Sequence, residues 1–225
     1  MITLSHPASL RVRGATSDES HAVETITSHV RQRWSTSCGP AVAQMLRALN
    51  DPAYAERLKD VEFQSGEQRR MLTQVGGLAV PVGRSGGRGA ECHSLVNAAV
   101  ASVGLRFQRT FATARPSSMR QAEWSQTILE RTLSSVLNRR PVPLAFGPNP
   151  ATSEHFVLAV EARRRGVHDE LRIYNPADGS LYWVSLGWLA HPSYGFTPTQ
   201  TCLTVAYLPE LAPGEGAQRS AHLGR

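Results

Sequence analysis

Cys38 stands in the run STSCGPAVAQMLRALN, where a Ser/Thr-rich entry precedes Ala41, Met45, Ala48 and Leu49 at near-helical spacing. Pro40 suits the first turn of a helix, where its missing N–H has no partner to lose. The pattern predicts a helix with Cys38 at its N-terminus. Unpaired backbone N–H groups and the helix dipole favour negative charge there, so the thiol is expected to ionise more easily than usual and to act as a nucleophile. Gly39 leaves room for a second chain to approach. A small cysteine packed beneath the helix is the competing reading. Gln32 lies six residues upstream and can fold back beside the thiol, where its amide and the Cys38 N–H would donate to an oxyanion. Read alone, it is a solvated glutamine within RQR. Trp34 stands between them as a wall for such a cleft.

A nucleophilic thiol needs a base, and the base needs an orienting group. Of eight histidines, His155 alone heads a strongly apolar β-prone run, HFVLAVEA. His6, His21, His29 and His222 fall in expected arms, and His93, His168 and His191 in helix-start or turn contexts. The next β-prone run, LRIYNPADG, reaches Asn175 just before Pro176. A hairpin through RRRGVHDE would bring His155 and Asn175 near each other at one end of the pair. Asn175 could then accept from one ring N–H and turn the other nitrogen towards Cys38. An ordinary turn-initiating Asn-Pro is the alternative.

These residues require a helical scaffold and a sheet to carry them. Residues 1–30 mix Ser, Thr and His with little periodicity and are expected to form a flexible arm with at most one strand. Short helices follow to about Val80, including GEQRRMLTQV, and then a glycine-rich stretch, VGRSGGRGA, read as a flexible surface connection because it lacks the ending of a phosphate-binding loop. Helix signals resume at ECHSLVNAAVASVG, LRFQRTF alternates like a strand, and SSMRQAEWSQTILERTLSSVLNRR carries Trp124, Ile128, Leu129, Leu133, Val136 and Leu137 on one face. PVPLAFG, HFVLAVEA, ELRIYNP, LYWVSL and QTCLTVAYL then read as strands. Helices first and strands later predict an α+β fold with an antiparallel sheet. The organisation expected is an arm (1–30), one domain (31–208) and a disordered, turn-rich tail (209–225).

Composition bounds the partners. The chain has 225 residues with 24 Lys+Arg against 18 Asp+Glu, and Lys59 is its single lysine. A disordered, collagen-like or coiled-coil chain does not fit this make-up. The arginine excess raises nucleic acid as a partner, but the runs RQR, RRR and NRR are scattered and belong to no recognised nucleic-acid motif. Three cysteines, Cys38, Cys92 and Cys202, are too few and too far apart for a disulfide framework, and no Cys/His spacing suits structural zinc. No run reaches the roughly 18–20 apolar residues of a membrane helix, and the start lacks the apolar core of a Sec leader. Synthesis in the cytoplasm is expected, with a leaderless export route left open.

Gln32 to Pro40, LNRRPVPLAFG, HFVLAV, YNPADG and YWVSLGWL, in this order, resemble the papain-like cysteine peptidases, most nearly the C39-like group in which Cys is followed by Gly-Pro. The resemblance spans about Arg31 to Leu208. It implies a papain-like fold in which the helix bearing the nucleophile packs against a C-terminal antiparallel sheet. It also implies a thiolate–imidazolium pair of Cys38 and His155, oriented by Asn175, with Gln32 as oxyanion donor, no cofactor and no metal. Many C39-like members carry Asp where this chain has Asn175, so Asp178 is kept as a substitute third residue. The implied activity is peptide hydrolysis on a protein or peptide substrate. Glutamine deamidation and transglutaminase-like acyl transfer use the same residues and stay open, as does a role as an exported effector or toxin. An Arg-rich nucleic-acid-binding protein is the alternative from a different class. The oligomeric state is not expressed in any motif.

Overall fold

The computed structural model describes residues 17–34, 37–74, 96–97, 101, 106–149, 155–165, 168–190 and 202–210. Helices α1 (Ser17–Thr27), α2 (Cys38–Ala48), α3 (Pro52–Arg57) and α4 (Val61–Gln74) come first. Strand β1 (Phe107–Phe111) and helix α5 (Gln121–Leu137) follow, then β2 (Val142–Gly147), β3 (His155–Arg165), β4 (His168–Asn175) and β5 (Ser180–Ser185), the short helix α6 (Leu186–Ala190) and β6 (Cys202–Pro209). The strands form one six-stranded sheet in the order β1-β6-β2-β3-β4-β5, antiparallel at every pairing. The expected α+β class and antiparallel sheet are therefore present. The glycine-rich stretch 82–90, most of the helix expected around 91–104, Cys92 and residues 211–225 lie outside the described residues. Among the described residues no helix is long and apolar enough to cross a membrane.

Side-chain alternation along the strands sorts the core into two layers. Ala145, Phe156, Leu158, Val160, Tyr174, Val205 and Tyr207 face α1 and α2. Leu144, Phe146, Val157, Ala159, Leu171, Ile173 and Ala206 face α5 and α6. An irregularity in the β3–β4 register between Ala159 and Glu161 shifts the alternation by one residue. That is why Val160 and Ala162, two apart, join opposite layers.

Helix α2 is the buried centre of the first layer: every residue from Cys38 to Ala48 is buried except Arg47. It sits against β3, with α1, α3 and α4 around it, and sends Val42, Met45 and Leu46 into the core shared with the sheet. A helix apolar nearly all round must be enclosed, and this one is. Its neighbour α3 starts on Asp51, whose carboxylate accepts the Tyr54 N–H at 3.0 Å, with Pro52 in the first turn.

The part of the expected arm that is described departs from the sequence reading. Residues 17–27 form α1, and Val23, Thr27 and Val30 are buried. Their spacing, with half-buried Ile26, is i, i+3, i+4, i+7, a helical stripe hidden among Ser, Thr and His. Glu24 reaches the Arg172 guanidinium on β4 at 2.6 Å, fastening the helix to the sheet. At the other end of the domain, Pro209 belongs to β6 opposite Phe107, so the strand runs to the residue where the tail was expected to begin.

Candidate active site

Cys38 opens α2, as the spacing predicts. Ser37 precedes it but does not cap the helix through its side chain. Its hydroxyl instead accepts the N–H groups of Arg33 and Trp34, both at 3.0 Å, and donates to the Trp34 carbonyl at 2.9 Å. Ser37 thus curls the approach to the helix and leaves its first N–H groups uncapped by that hydroxyl. The backbone at the start of α2 and at Phe156, the residue after His155, lies close enough to the thiol to favour its anion. The nucleophile candidate and the head of β3 are in this way in contact.

The expected ease of ionisation is not found. Cys38 is 7% exposed, and burial pushes the thiol above its ordinary value, outweighing the nearby backbone groups that favour the thiolate.

His155 and Asn175 meet. Nε2 and Oδ1 are 2.8 Å apart in a buried setting. Extending the β3–β4 register from Leu158–Tyr174 puts Asn175 across from Val157, so its side chain reaches diagonally to His155 rather than straight across. An amide oxygen only accepts, so Nε2 carries the proton and Nδ1 of the neutral ring carries the lone pair. The same oxygen accepts the Ala177 N–H at 3.1 Å, which holds it in orientation. Burial lowers the affinity of His155 for a second proton, while the Asn175 hydrogen bond and the Asp178 charge act the other way. Both directions, up for Cys38 and down for His155, favour a neutral thiol and a neutral imidazole at rest. Taken alone, each direction runs against the expected thiolate–imidazolium pair.

Asp178 is turned elsewhere. Its carboxylate accepts the Ser180 N–H at 2.9 Å and the Tyr182 hydroxyl at 2.5 Å, which hold it below the usual carboxylate range. Asn175, not Asp178, bonds the ring. The turn joining β4 to β5 closes with the Gly179 N–H on the Asn175 carbonyl at 2.9 Å. Gly179 has φ +73°, and a Cβ there would sit 2.9 Å from Arg31 Cγ. The positive φ is what favours glycine there; a Cβ would also have to displace the Arg31 side chain.

Gln32 comes to the same turn: its N–H donates to the Pro176 carbonyl at 2.8 Å. Its side-chain Oε1 is buried and accepts no hydrogen bond among the described residues. Trp34 is exposed beside this segment, with the Arg69 guanidinium 5.5 Å from its ring centre. Cys202 lies half-buried at the start of β6, its sulfur 4.0 Å from the Pro148 carbonyl. A cavity of about 220 Å³ lined by Val23, Ile26, Leu49, Leu137 and Val160 lies at the opposite end of α2 and contains none of these groups. Among the described residues no group of three or more His, Cys, Asp and Glu could hold a metal ion.

Sequence reasoning missed three glutamines. Gln44 on α2 and Gln64 and Gln68 on α4 are fully buried and join one another and residues 29–33 through hydrogen bonds. The signal was present as Gln64, Gln68 and Met71 at i, i+4, i+7, but a search for apolar stripes passes over glutamine. Comparison with family models, curated proteins and solved structures gives no match.

Proposed function

We propose that this protein is a cysteine peptidase that acts through Cys38, His155 and Asn175, with Gln32 as oxyanion donor. The observation that carries the reading is the buried 2.8 Å bond between His155 Nε2 and Asn175 Oδ1, one residue away in sequence from the Phe156 backbone that touches the Cys38 thiol. It fixes the tautomer a general base needs.

Because thiol and imidazole rest neutral, His155 Nδ1 takes the Sγ proton as Cys38 attacks the scissile carbonyl, rather than beforehand. The sulfur–carbon bond forms, and the carbonyl electrons move to an oxyanion held by the Cys38 N–H and the Gln32 side-chain amide. Collapse breaks the carbon–nitrogen bond, and the imidazolium returns its proton to the leaving amine. Water then attacks the thioester with His155 again as base, releasing the acid and restoring the thiol. A glutamine side chain as acyl donor would be deamidated by the same steps, and an amine in place of water would give acyl transfer. Peptide hydrolysis is preferred because the papain-like peptidases, which the chain resembles, mostly cleave peptides. An exported effector would use identical chemistry.

The expected outcome is that Cys38→Ala keeps its circular dichroism and melting temperature and loses all turnover, measured by mass spectrometry of a mixed peptide library. New termini identify proteolysis and a gain of about one dalton identifies deamidation. Unchanged turnover in the variant would overturn the assignment.

A further inference from the structure

Residues 29–33 have no regular secondary structure, yet every one of them is held. The His29 carbonyl accepts from Gln64 Nε2 at 2.7 Å, the Val30 carbonyl from the Tyr174 hydroxyl at 2.9 Å and the Arg31 carbonyl from Gln68 Nε2 at 2.8 Å. The Gln32 N–H goes to Pro176, and the Arg33 N–H to Gln68 Oε1 at 3.0 Å as well as to Ser37.

Gln68 is the unusual member. One side-chain amide takes the carbonyl before Gln32 and the N–H after it, the pattern by which a parallel strand brackets a residue. Gln32 is thereby pinned from both sides, by Gln68 and by the turn that follows Asn175. Gln68 Nε2 also donates to Gln44 Oε1 at 2.8 Å, and Gln44 lies on α2, the helix that Cys38 opens. Gln44 in turn donates to the Gln64 carbonyl at 3.0 Å. An apolar side chain in their place would leave carbonyls and N–H groups of this segment unpaired, at about 1–3 kcal/mol for each that is buried. The amides also add register, because each bond is met in one alignment only.

We infer that Gln68 is a positioning residue that sets the Gln32 amide against the nucleophile helix through Gln44, so that α4 builds the oxyanion site without touching substrate. This rests on the peptidase reading. Gln68 bonds the loop on either side of Gln32 and, through Gln44, helix α2, alongside the Ser37 hydroxyl that bonds Arg33 and Trp34 next to Cys38.

The test separates two reactions of Cys38 in the full chain. Iodoacetamide alkylates the sulfur with loss of iodide and forms no oxyanion, whereas acetyl-phenylalanyl-glycinal adds the thiol to its carbonyl and places the resulting oxygen in the oxyanion site. Removing an oxyanion donor outright costs about 10²–10³ in rate, so displacing one should cost roughly tenfold or more. In Gln68→Met, which keeps the shape and removes the bonds, aldehyde affinity should fall by that factor while alkylation of Cys38 stays within about twofold of wild type. Gln44→Met, which cuts only the link to α2, should show the same split to a smaller degree and serves if Gln68→Met does not fold. Equal losses in both reactions, or no change in either, overturn the inference and leave the thiol assignment standing, as does a wild-type protein that is alkylated at Cys38 but does not take the aldehyde. A wild-type Cys38 that resists iodoacetamide while Cys92 or Cys202 reacts overturns the peptidase reading and the inference with it.

Discussion

His155 carries the pH dependence of the proposed reaction. Burial lowers its proton affinity, and the base must be neutral, so activity should persist below the ordinary histidine value of 6.5 and fall only once the ring protonates. The acid limb of kcat/KM against pH is expected below 6.5; a limb above 7 would contradict a neutral resting base. Asn175 orients the ring and Asp178 acts on it only through charge. Asn175→Ala is therefore expected to lower kcat by roughly tenfold or more, and Asp178→Asn to shift the acid limb down with a smaller loss of kcat. Removing a negative charge makes the imidazolium less stable, which sets the direction of that shift. Equal effects of the two substitutions would mean that the ring is oriented by something other than its 2.8 Å partner. Gln32 was legible in the sequence as a donor candidate; its buried, unpartnered Oε1 was not, because burial of one amide atom depends on chain segments far away in sequence.

Elements decide where these residues stand. Tyr174 on β4 is wholly enclosed and donates to the Val30 carbonyl, linking the sheet to the segment that leads to Gln32. Tyr174→Phe would strand that carbonyl, at a cost of about 1–3 kcal/mol. The loss should appear as a lower denaturant midpoint with unchanged slope. Helix α5 packs Ile128, Leu129 and Leu133 against the second face of the sheet, and Trp124 Nε1 donates to the Phe111 carbonyl on β1 at 3.1 Å. Leu133→Ala should cost about 2–5 kcal/mol and leave the ratio of aldehyde to iodoacetamide reactivity of the surviving fold unchanged. The stripe of α5 was readable because its residues are apolar at helical spacing. That of α1 was obscured by polar neighbours, and that of α4 is made largely of amides.

Across the whole molecule, stability should follow pH in two stages. An unfolded histidine takes a proton near 6.5, whereas His155 in the fold resists it, so stability is full above 6.5 and declines as pH falls below that value. Glu67, beside Arg70, and Asp178 are held below their ordinary carboxylate values, so what they contribute is present above about 4.5 and is lost as pH falls through their depressed values. Urea midpoints between pH 8 and 3 should show both stages, and His155→Gln should remove the first. Some arginines are paired within the fold, Arg163 with Glu170 and Arg172 with Glu24 and Glu161, which leaves the net charge of +6 unchanged.

Local patterns were sufficient for the α+β class, the antiparallel strands and the start of α2 at Cys38, because apolar periodicity and the residues flanking Pro40 act over a few neighbours. The pairing of His155 with Asn175 was legible as soon as two apolar strands were joined by one short loop. Only the tertiary structure decided how deeply the pair is buried and the setting of Gln32. Desolvation depends on everything packed around Cys38 and His155, and the amides of Gln44, Gln64 and Gln68 acquire meaning only when α2, α4 and residues 29–33 come together.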